Sequence, residues 1–439
     1  MKVVLINPNW QEHNVPHTTA SLIVPKSVPL ELAYVAASIE DHCDVAVIDA
    51  YAQNLTKSQI VRQLDTIKPD LVVIDTAPTY LFWRCPPLDL SVPSELSSAV
   101  RSSIDTKIGV IGPHGTNDSF WTHSQTGADT IVQGEPDLAF VEIVSSGLIR
   151  STYPNPGPVD LTKLPMPAFD KFDISLYEAH AWLPELQKHL LGDAKINLVL
   201  EYSRGCPYSC VYCFKEGFRD EFRTKTLNQM EMELDYISDN GGTYVYFIDE
   251  IFNMPSANLK GLLDLLRSKG IAFGNQSRPD LMTEDLVRLM ADSGCIYIEY
   301  GVEVQDERVA ENIKKNVDYG KLERILNVSH ELIPVVNEFR INFYAPEYAE
   351  ILGLPERPVE EWDPKPIRPY PGTFLGEKIF ERYGIRENKW DFALRYVWWL
   401  QLEREHALGN VRANPNELKS TVLFGSYDRA KDITCRLLK

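Results

Sequence analysis

The stretch NLVLEYSRGCPYSCVYCFK, residues 197–215, runs from an apolar, β-type segment at 197–202 directly into a loop that carries three of the chain's seven cysteines. Cys206, Cys210 and Cys213 have the spacing Cys-x3-Cys-x2-Cys, compact enough for three sulfurs of one loop to face one point. A structural zinc site normally closes with four ligands, usually as two separated pairs. No second pair exists in this sequence. Iron–sulfur clusters also commonly take four cysteines, so three thiolates on a [4Fe–4S] cluster would leave one iron open. Fewer protein ligands than coordination positions is the logic of a catalytic metal.

Working outward, the sequence after the loop alternates helical and strand patterns. Helical periodicity at 227–239, 258–268, 283–293 and 319–332 is interleaved with apolar runs at 244–248, 271–273 and 296–302. Repeated βα units of this kind predict a full or partial (β/α) barrel, with the chemistry on loops that follow the strands. The three-cysteine loop follows the first strand of the set. Before it, apolar runs at 3–6, 44–48, 71–74, 108–111 and 130–132 alternate with helical patterns at 30–39, 58–67 and 94–104. Strands that are hydrophobic throughout predict a Rossmann-like, doubly wound parallel sheet covered on both faces, binding ligands beyond the strands' carboxyl ends. Between the two series, proline-rich, aperiodic sequence reads as a linker. The expected domains are 1–150, a linker at 151–195, a barrel at 196–345 and a small helical extension at 346–439, in which 390–405 has helical periodicity. The fold class is therefore α/β.

The net charge of −18 opposes non-specific attraction to nucleic acid or anionic lipid and favours small-molecule or peptide partners. No apolar stretch approaches the roughly 20 residues that span a bilayer, and cysteines such as Cys43 and Cys295 stand singly, unlike a secreted disulfide framework. A reducing, cytoplasmic setting is expected.

With Tyr212 just before the third cysteine and Arg204-Gly205 leading into the first, the loop resembles that of the radical S-adenosylmethionine (SAM) enzymes. The resemblance implies that Cys206, Cys210 and Cys213 hold the cluster, that its open iron chelates SAM, and that Tyr212 lies near the adenine. It also implies SAM contacts from strand-end residues: Asp249 and Glu250, then Arg278, then Glu303 in a Gly-x-Glu pattern. Carboxylates suit an ammonium or ribose hydroxyls, and the planar arginine fork suits a carboxylate. The stretches 111–116 and 133–137, with Gly112, His114, Gly134 and Glu135, resemble the cobalamin-binding domain that precedes the barrel in one large subclass. The Asp-x-His-x-x-Gly motif that supplies a lower cobalt ligand is missing; His13, His17 and His114 lack its neighbours. Cobalamin held without a protein histidine and a domain kept without cobalamin both stay open.

The resemblance implies methyl transfer to an unactivated atom of a small metabolite, natural-product intermediate or peptide. One SAM methylates the corrinoid, a second yields a 5′-deoxyadenosyl radical, and a flavodoxin or ferredoxin supplies electrons. A closed, apolar interdomain cleft is expected. The alternatives are transfer of the 3-amino-3-carboxypropyl group to a soft acceptor such as arsenic, for which Cys435 would be available, a radical rearrangement or cyclisation, or a non-enzymatic metal-binding sensor.

Overall fold

The computed structural model describes residues 1–12, 26–79, 85–177, 197–215, 219–315 and 317–438. His13, His17 and much of the linker lie outside them.

The first domain is a six-stranded, all-parallel sheet in the order β2-β1-β3-β4-β5-β6. Its strands are β1 (Lys2–Asn7), β2 (Asp44–Asp49), β3 (Leu71–Asp75), β4 (Lys107–Ile111), β5 (Thr130–Val132) and β6 (Thr152–Tyr153). Between them run α1 (Leu30–Ile39), α2 (Lys57–Ile67), α3 (Ser91–Ser103), α4 (Pro113–Asn117), α5 (Ser119–Thr126) and α6 (Ala139–Ser146). Two cores explain the unbroken apolar strands. Val3, Leu5, Leu71 and Val73 face α1 and α6, whereas Val4, Ile6, Val72 and Ile74 face α2 and α3. Helix α2 starts where Thr56 and Gln59 form a reciprocal capping box, satisfying two otherwise orphaned donors.

The described part of the expected linker, 151–177, belongs to the core. Tyr153 pairs into the sheet, and Leu161, Leu164, Phe169, Phe172 and Tyr177 are buried. The proline-rich composition hid this because three short 3-10 turns, at Leu161–Lys163, Phe169–Lys171 and Ile174–Leu176, carry the apolar side chains without a period.

The second domain begins with β7 (Asn197–Leu200), after which the cysteine loop is bracketed by a two-residue antiparallel ribbon, β8 (Ser203–Arg204) with β9 (Arg223–Thr224). It continues through α7 (Leu227–Asp239), β10 (Tyr244–Phe247), α8 (Leu259–Lys269), β11 (Ala272–Ser277), α9 (Glu284–Asp292), β12 (Cys295–Glu303), α10 (Glu307–Asn312), α11 (Tyr319–Leu332) and β13 (Val335–Arg340). The five long strands are parallel in the order β13-β12-β11-β10-β7, so β7 and β13 are edges and the barrel is partial. Strand β11 extends through Ser277, placing Asn275 and Gln276 inside the strand. β13 has no apolar run to announce it, because as an edge strand it is only half buried.

The C-terminal region holds α12 (Pro346–Ile351), α13 (Phe374–Tyr383), α14 (Lys389–Ala407), α15 (Pro415–Phe424) and α16 (Tyr427–Leu437). Helix α14 is buried on most sides, and its Trp390, Trp398 and Leu402 share a core with Trp121 of the first domain and with Val211 and Phe214 of the cysteine loop. The extension therefore supports the loop from behind. Among the described residues, no helix is long and apolar enough to cross a membrane.

Candidate active site

Every end of the cysteine loop is tied down. Gly205 sits at φ 91°, and a Cβ there would collide with the Glu221 carbonyl, so the turn into the first cysteine requires glycine. Cys206 N donates to Arg219 O at 2.8 Å and Cys213 N to Cys210 O at 3.1 Å, while Val211 N reaches Ile313 O at 3.2 Å. Lys215 Nζ donates to Cys206 O, and Arg278 Nη1 lies 3.8 Å from Cys210 Sγ. Burial pushes the thiols of Cys206 and Cys213 up, and in Cys213 the neighbouring sulfurs of Cys206 and Cys210 add to this. Three sulfurs this close resist ionising together unless a cationic centre joins them, which is the chemistry of a metal-ligand set. Among the described residues, no three His, Cys, Asp or Glu side chains close around a single metal ion. One sulfur for each of three irons of a cluster needs no such single meeting point.

The strand-end residues divide into two groups. Asp249 and Glu250 are braces. Asp249 accepts from Tyr202 N at 3.1 Å and Ser203 N at 2.6 Å; burial pushes its carboxyl up to about 7. Glu250 accepts from Gly205 N at 3.0 Å and from Arg219 Nε at 2.6 Å. Both carboxyls face the loop's entry, so the structure gives them protein donors where the sequence suggested the SAM ammonium. Tyr212, Arg278 and Glu303 stand around the loop's other side. Glu303 has a left-handed backbone (φ 62°) at a register shift between β12 and β13, and it pairs with Lys315 Nζ at 2.8 Å. Burial pushes the Tyr212 hydroxyl up, and the Glu303 carboxylate, its hydrogen-bond acceptor, pushes in the same direction. The Tyr212 ring meets Phe343 at 5.5 Å. Arg278 lies on the Tyr208 ring at 3.7 Å and is held by Asp280 through two bonds of 3.1 and 3.0 Å, which occupy part of its fork.

The first domain meets this loop through charge. The loop after β5 presents Glu135 and Asp137; Arg204, the residue that leads into Gly205 and Cys206, binds Asp137 bidentately at 2.7 and 2.8 Å and Glu201 at 2.9 Å. Glu135 accepts from Arg219 at 3.0 Å, from Arg223 at 2.9 Å and from Val159 N at 2.7 Å. Burial alone would raise its carboxyl, but Arg204, Arg223 and Arg219 outweigh that and hold it at about 2. A cavity of about 20 Å³, room for about one water, lies among Glu31, Thr79, Asp137, Glu201, Arg204, Arg219 and Glu250. The part of the interdomain junction beside the cysteine loop is therefore charged, although an apolar core also spans the two domains. Glu135 is a hub of that junction, with its oxygens given to arginines rather than to a corrinoid.

Gly134 (φ 80°) turns the same loop, and its amide is held by Thr116 Oγ1 at 2.9 Å. Gly112, at φ 130°, is the entry to α4. His114 is fully buried, with Nε2 at 2.7 Å from Pro87 O and its ring 4.6 Å from Trp390 and 6.2 Å from Trp121; burial lowers it to about 4. It sits in the aromatic seam with the C-terminal extension. A different set of polar groups lies at the ends of β1 and β3, where strand order reverses. There Asp75 is buried with neither carboxyl oxygen hydrogen-bonded among the described residues, beside a Thr76 hydroxyl that likewise has no partner among them. Burial pushes Asp75 well above the usual carboxylate range, with Glu31 and Asp49 adding to it, which favours its uncharged form. Such groups fit the amide-fringed rim of a corrinoid.

Residues 200–347 match the family model of the radical SAM superfamily. The similarity to that superfamily covers this stretch, which begins in β7 and contains the cysteine loop. An uncharacterized methyltransferase of Pyrococcus horikoshii is 24% identical over 343 residues, covering 72% of this chain and 68% of the relative. The two-domain fold is shared with the radical SAM methyltransferase TsrM from Kitasatospora setae, solved with cobalamin and a [4Fe–4S] cluster bound; the TM-score is 0.56 and the identity 18%, over 76% of this chain and 66% of that one. It is shared also with the cobalamin-dependent SAM radical enzyme OxsB, solved with aqua-cobalamin and SAM, at TM-score 0.60 and 16% identity over 88% of this chain and 56% of that one. This chain thus spans 66% of the first of those two proteins and 56% of the second.

Sequence reasoning missed Arg219, Arg223, Asp137, Glu201 and Lys315. The clearest signal was present in the loop itself, where Arg204, Arg219 and Arg223 flank the cysteines opposite the acidic pair at 135 and 137.

Proposed function

We propose that this protein is a cobalamin-dependent radical SAM enzyme that transfers a methyl group to an unactivated atom of a small metabolite, natural-product intermediate or peptide. The observation that carries the reading is the Arg204 clamp: the residue that opens the cysteine loop is bonded bidentately to Asp137 of the first domain. It fixes the cluster-bearing loop against the strand-end loops of the corrinoid-type sheet. The relatives' cofactors support the same assignment.

When bound, the cluster and SAM supply reductive carbon–sulfur cleavage, and the corrinoid supplies a methyl carrier. The chain's own residues do the rest. Cys206, Cys210 and Cys213 would hold the cluster; Tyr212 and Phe343 would wall the adenine side; Glu303 would accept hydrogen bonds from SAM while Lys315 fixes its orientation. Asp75 and Thr76 would donate to the corrinoid periphery. The braces Asp249 and Glu250, acting through Ser203 and Gly205, hold the loop while ligands come and go. Holding reacting groups in one geometry is where such an enzyme's protein contributes most. A cytoplasmic location and a flavodoxin- or ferredoxin-type electron donor complete the proposal.

The test is anaerobic purification, reconstitution with iron, sulfide and hydroxocobalamin, and incubation of reductant and methyl-deuterated SAM with candidate acceptors. Formation of both 5′-deoxyadenosine and S-adenosylhomocysteine with deuterium in the acceptor is expected. Aminocarboxypropyl products would move the assignment to the alternative transfer, and intact SAM would end the enzymatic reading.

A further inference from the structure

The inner face of the partial barrel contains a carboxylate for which the roles above have no use. Which face is inner follows from contacts. Tyr300 of β12 bonds Ser329 of the outer helix α11, its two hydroxyl oxygens 2.9 Å apart, so Tyr300 points outward. Tyr297, Glu299 and Gly301, of opposite parity, point inward. Glu299 is fully buried there. It accepts from Tyr246 Oη at 2.6 Å, from its register partner Gln276 through Nε2 at 2.7 Å, and from the Tyr297 hydroxyl. Gly274, facing the same space, leaves room for the rings of Tyr244, Tyr246 and Tyr297.

All three donors to Glu299 are neutral, and among the described residues it makes no salt bridge. The nearest cation along the strand, Lys315, is engaged by Glu303 and by the Gly301 carbonyl. A carboxylate that is acceptor-only matches this set of donors. The hydrogen-bond set thus suits the ionised form of Glu299, which lies one inward-facing step below Gly301 and so about 7 Å deeper along the strand. Gln276, level with it on β11, is only partly buried.

We propose that Glu299 is the counter-charge for the sulfonium of SAM and makes the barrel discriminate SAM from the neutral thioether S-adenosylhomocysteine. The inference rests on SAM binding at the cysteine loop. The two ligands differ by a methyl group and by the positive charge on sulfur, so a buried negative charge favours one over the other without touching either. A sulfonium held level with Gly301 would stand about 7 Å from the Glu299 carboxylate, and at the effective dielectric that suits such pairs that separation gives a preference of about tenfold or more. In an enzyme that leaves S-adenosylhomocysteine after each methyl transfer, the same charge aids exchange of product for the next SAM. Because Glu299 acts through space, it is a specificity residue rather than a catalytic one.

The test measures dissociation constants of SAM and of S-adenosylhomocysteine on the reconstituted full chain by equilibrium dialysis. Glu299→Gln, nearly isosteric, should weaken SAM by about tenfold and change S-adenosylhomocysteine by less than about twofold. The exchange variant Glu299→Gln with Gln276→Glu returns a carboxylate to the same hydrogen-bonded pair and should restore the parent's ratio; it also carries the test if the single variant does not fold. Equal losses for both ligands, an unchanged ratio in Glu299→Gln, or a ratio not restored by the exchange would overturn the proposal. Failure of the parent to bind either ligand would instead bring down the SAM reading on which it stands.

Discussion

Replacing Glu135 by glutamine removes one charge from the junction while preserving shape. The parent carboxyl is held at about 2 against an ordinary 4.5. By linkage, its charged form is therefore favoured in the folded protein by about 3 kcal/mol. Part of this survives in the variant, because Arg204 keeps Asp137 and Glu201, and Arg219 keeps Glu250. Arg223 keeps only the Val159 carbonyl across the junction, at 2.6 Å. A loss of about 2 kcal/mol is therefore expected at pH 7, less than the full linkage value because those partners remain. The sign with pH follows from the depressed folded value: the contribution is complete above about pH 5 and disappears as pH falls toward 2. Urea unfolding of parent and Glu135→Gln proteins before cluster reconstitution should thus show a gap at pH 7 that narrows steadily below pH 5. A gap under about 1 kcal/mol at pH 7, or one that does not change with acid, would refute the argument.

Alanine at Cys206, Cys210 and Cys213 together should abolish bound iron and sulfide and the broad absorption near 400 nm that such clusters give; metal content at parent levels would remove the central assignment. Glu303→Ala should leave iron and sulfide in place and weaken SAM binding, which equilibrium dialysis reads directly. Unchanged affinity would return Glu303 to a role as partner of Lys315. His114→Ala removes a buried ring from between Trp121 and Trp390 and should cost about 2–4 kcal/mol in urea unfolding. Because its Nε2 is taken by Pro87 and no axial motif surrounds it, cobalamin content after reconstitution should be retained and cob(II)alamin spectra should lack nitrogen coupling from this residue.

The α/β layers were legible because their code is local. Leu71–Ile74 or Tyr244–Phe247 reads as a buried parallel strand from its own residues, and α11 is visible from its period alone. The cysteine loop was legible for a chemical reason, since three thiols in eight residues have few other uses. Less legible was anything whose meaning depends on a partner far along the chain. Asp249 at a strand end looks the same whether it faces a ligand or Ser203 N, and Glu135 looks the same whether it faces a corrinoid or three arginines. β13 escaped because an edge strand need not be apolar, and the linker because 3-10 turns bury side chains such as Leu161 and Phe169 without a detectable repeat.

The charged junction explains why an apolar cleft would have served this architecture less well. Hydrophobic contact scales with area and is nearly indifferent to angle, so two sheets packed by apolar surface alone can slide by an ångström at little cost. A bidentate arginine–carboxylate pair cannot, because both bonds lengthen when either partner rotates. Here Arg204 is two residues from Cys206, Arg219 accepts the Cys206 amide on its carbonyl, and both reach acids of the loop that ends β5. Any shift of the first domain against the cysteine loop must therefore break several charge-assisted bonds at once, in a cavity of about 20 Å³ with room for about one water. The core shared by the two domains supplies the stability, while these few buried charges set the register between the cysteine loop and the strand ends that carry Asp75 and Thr76.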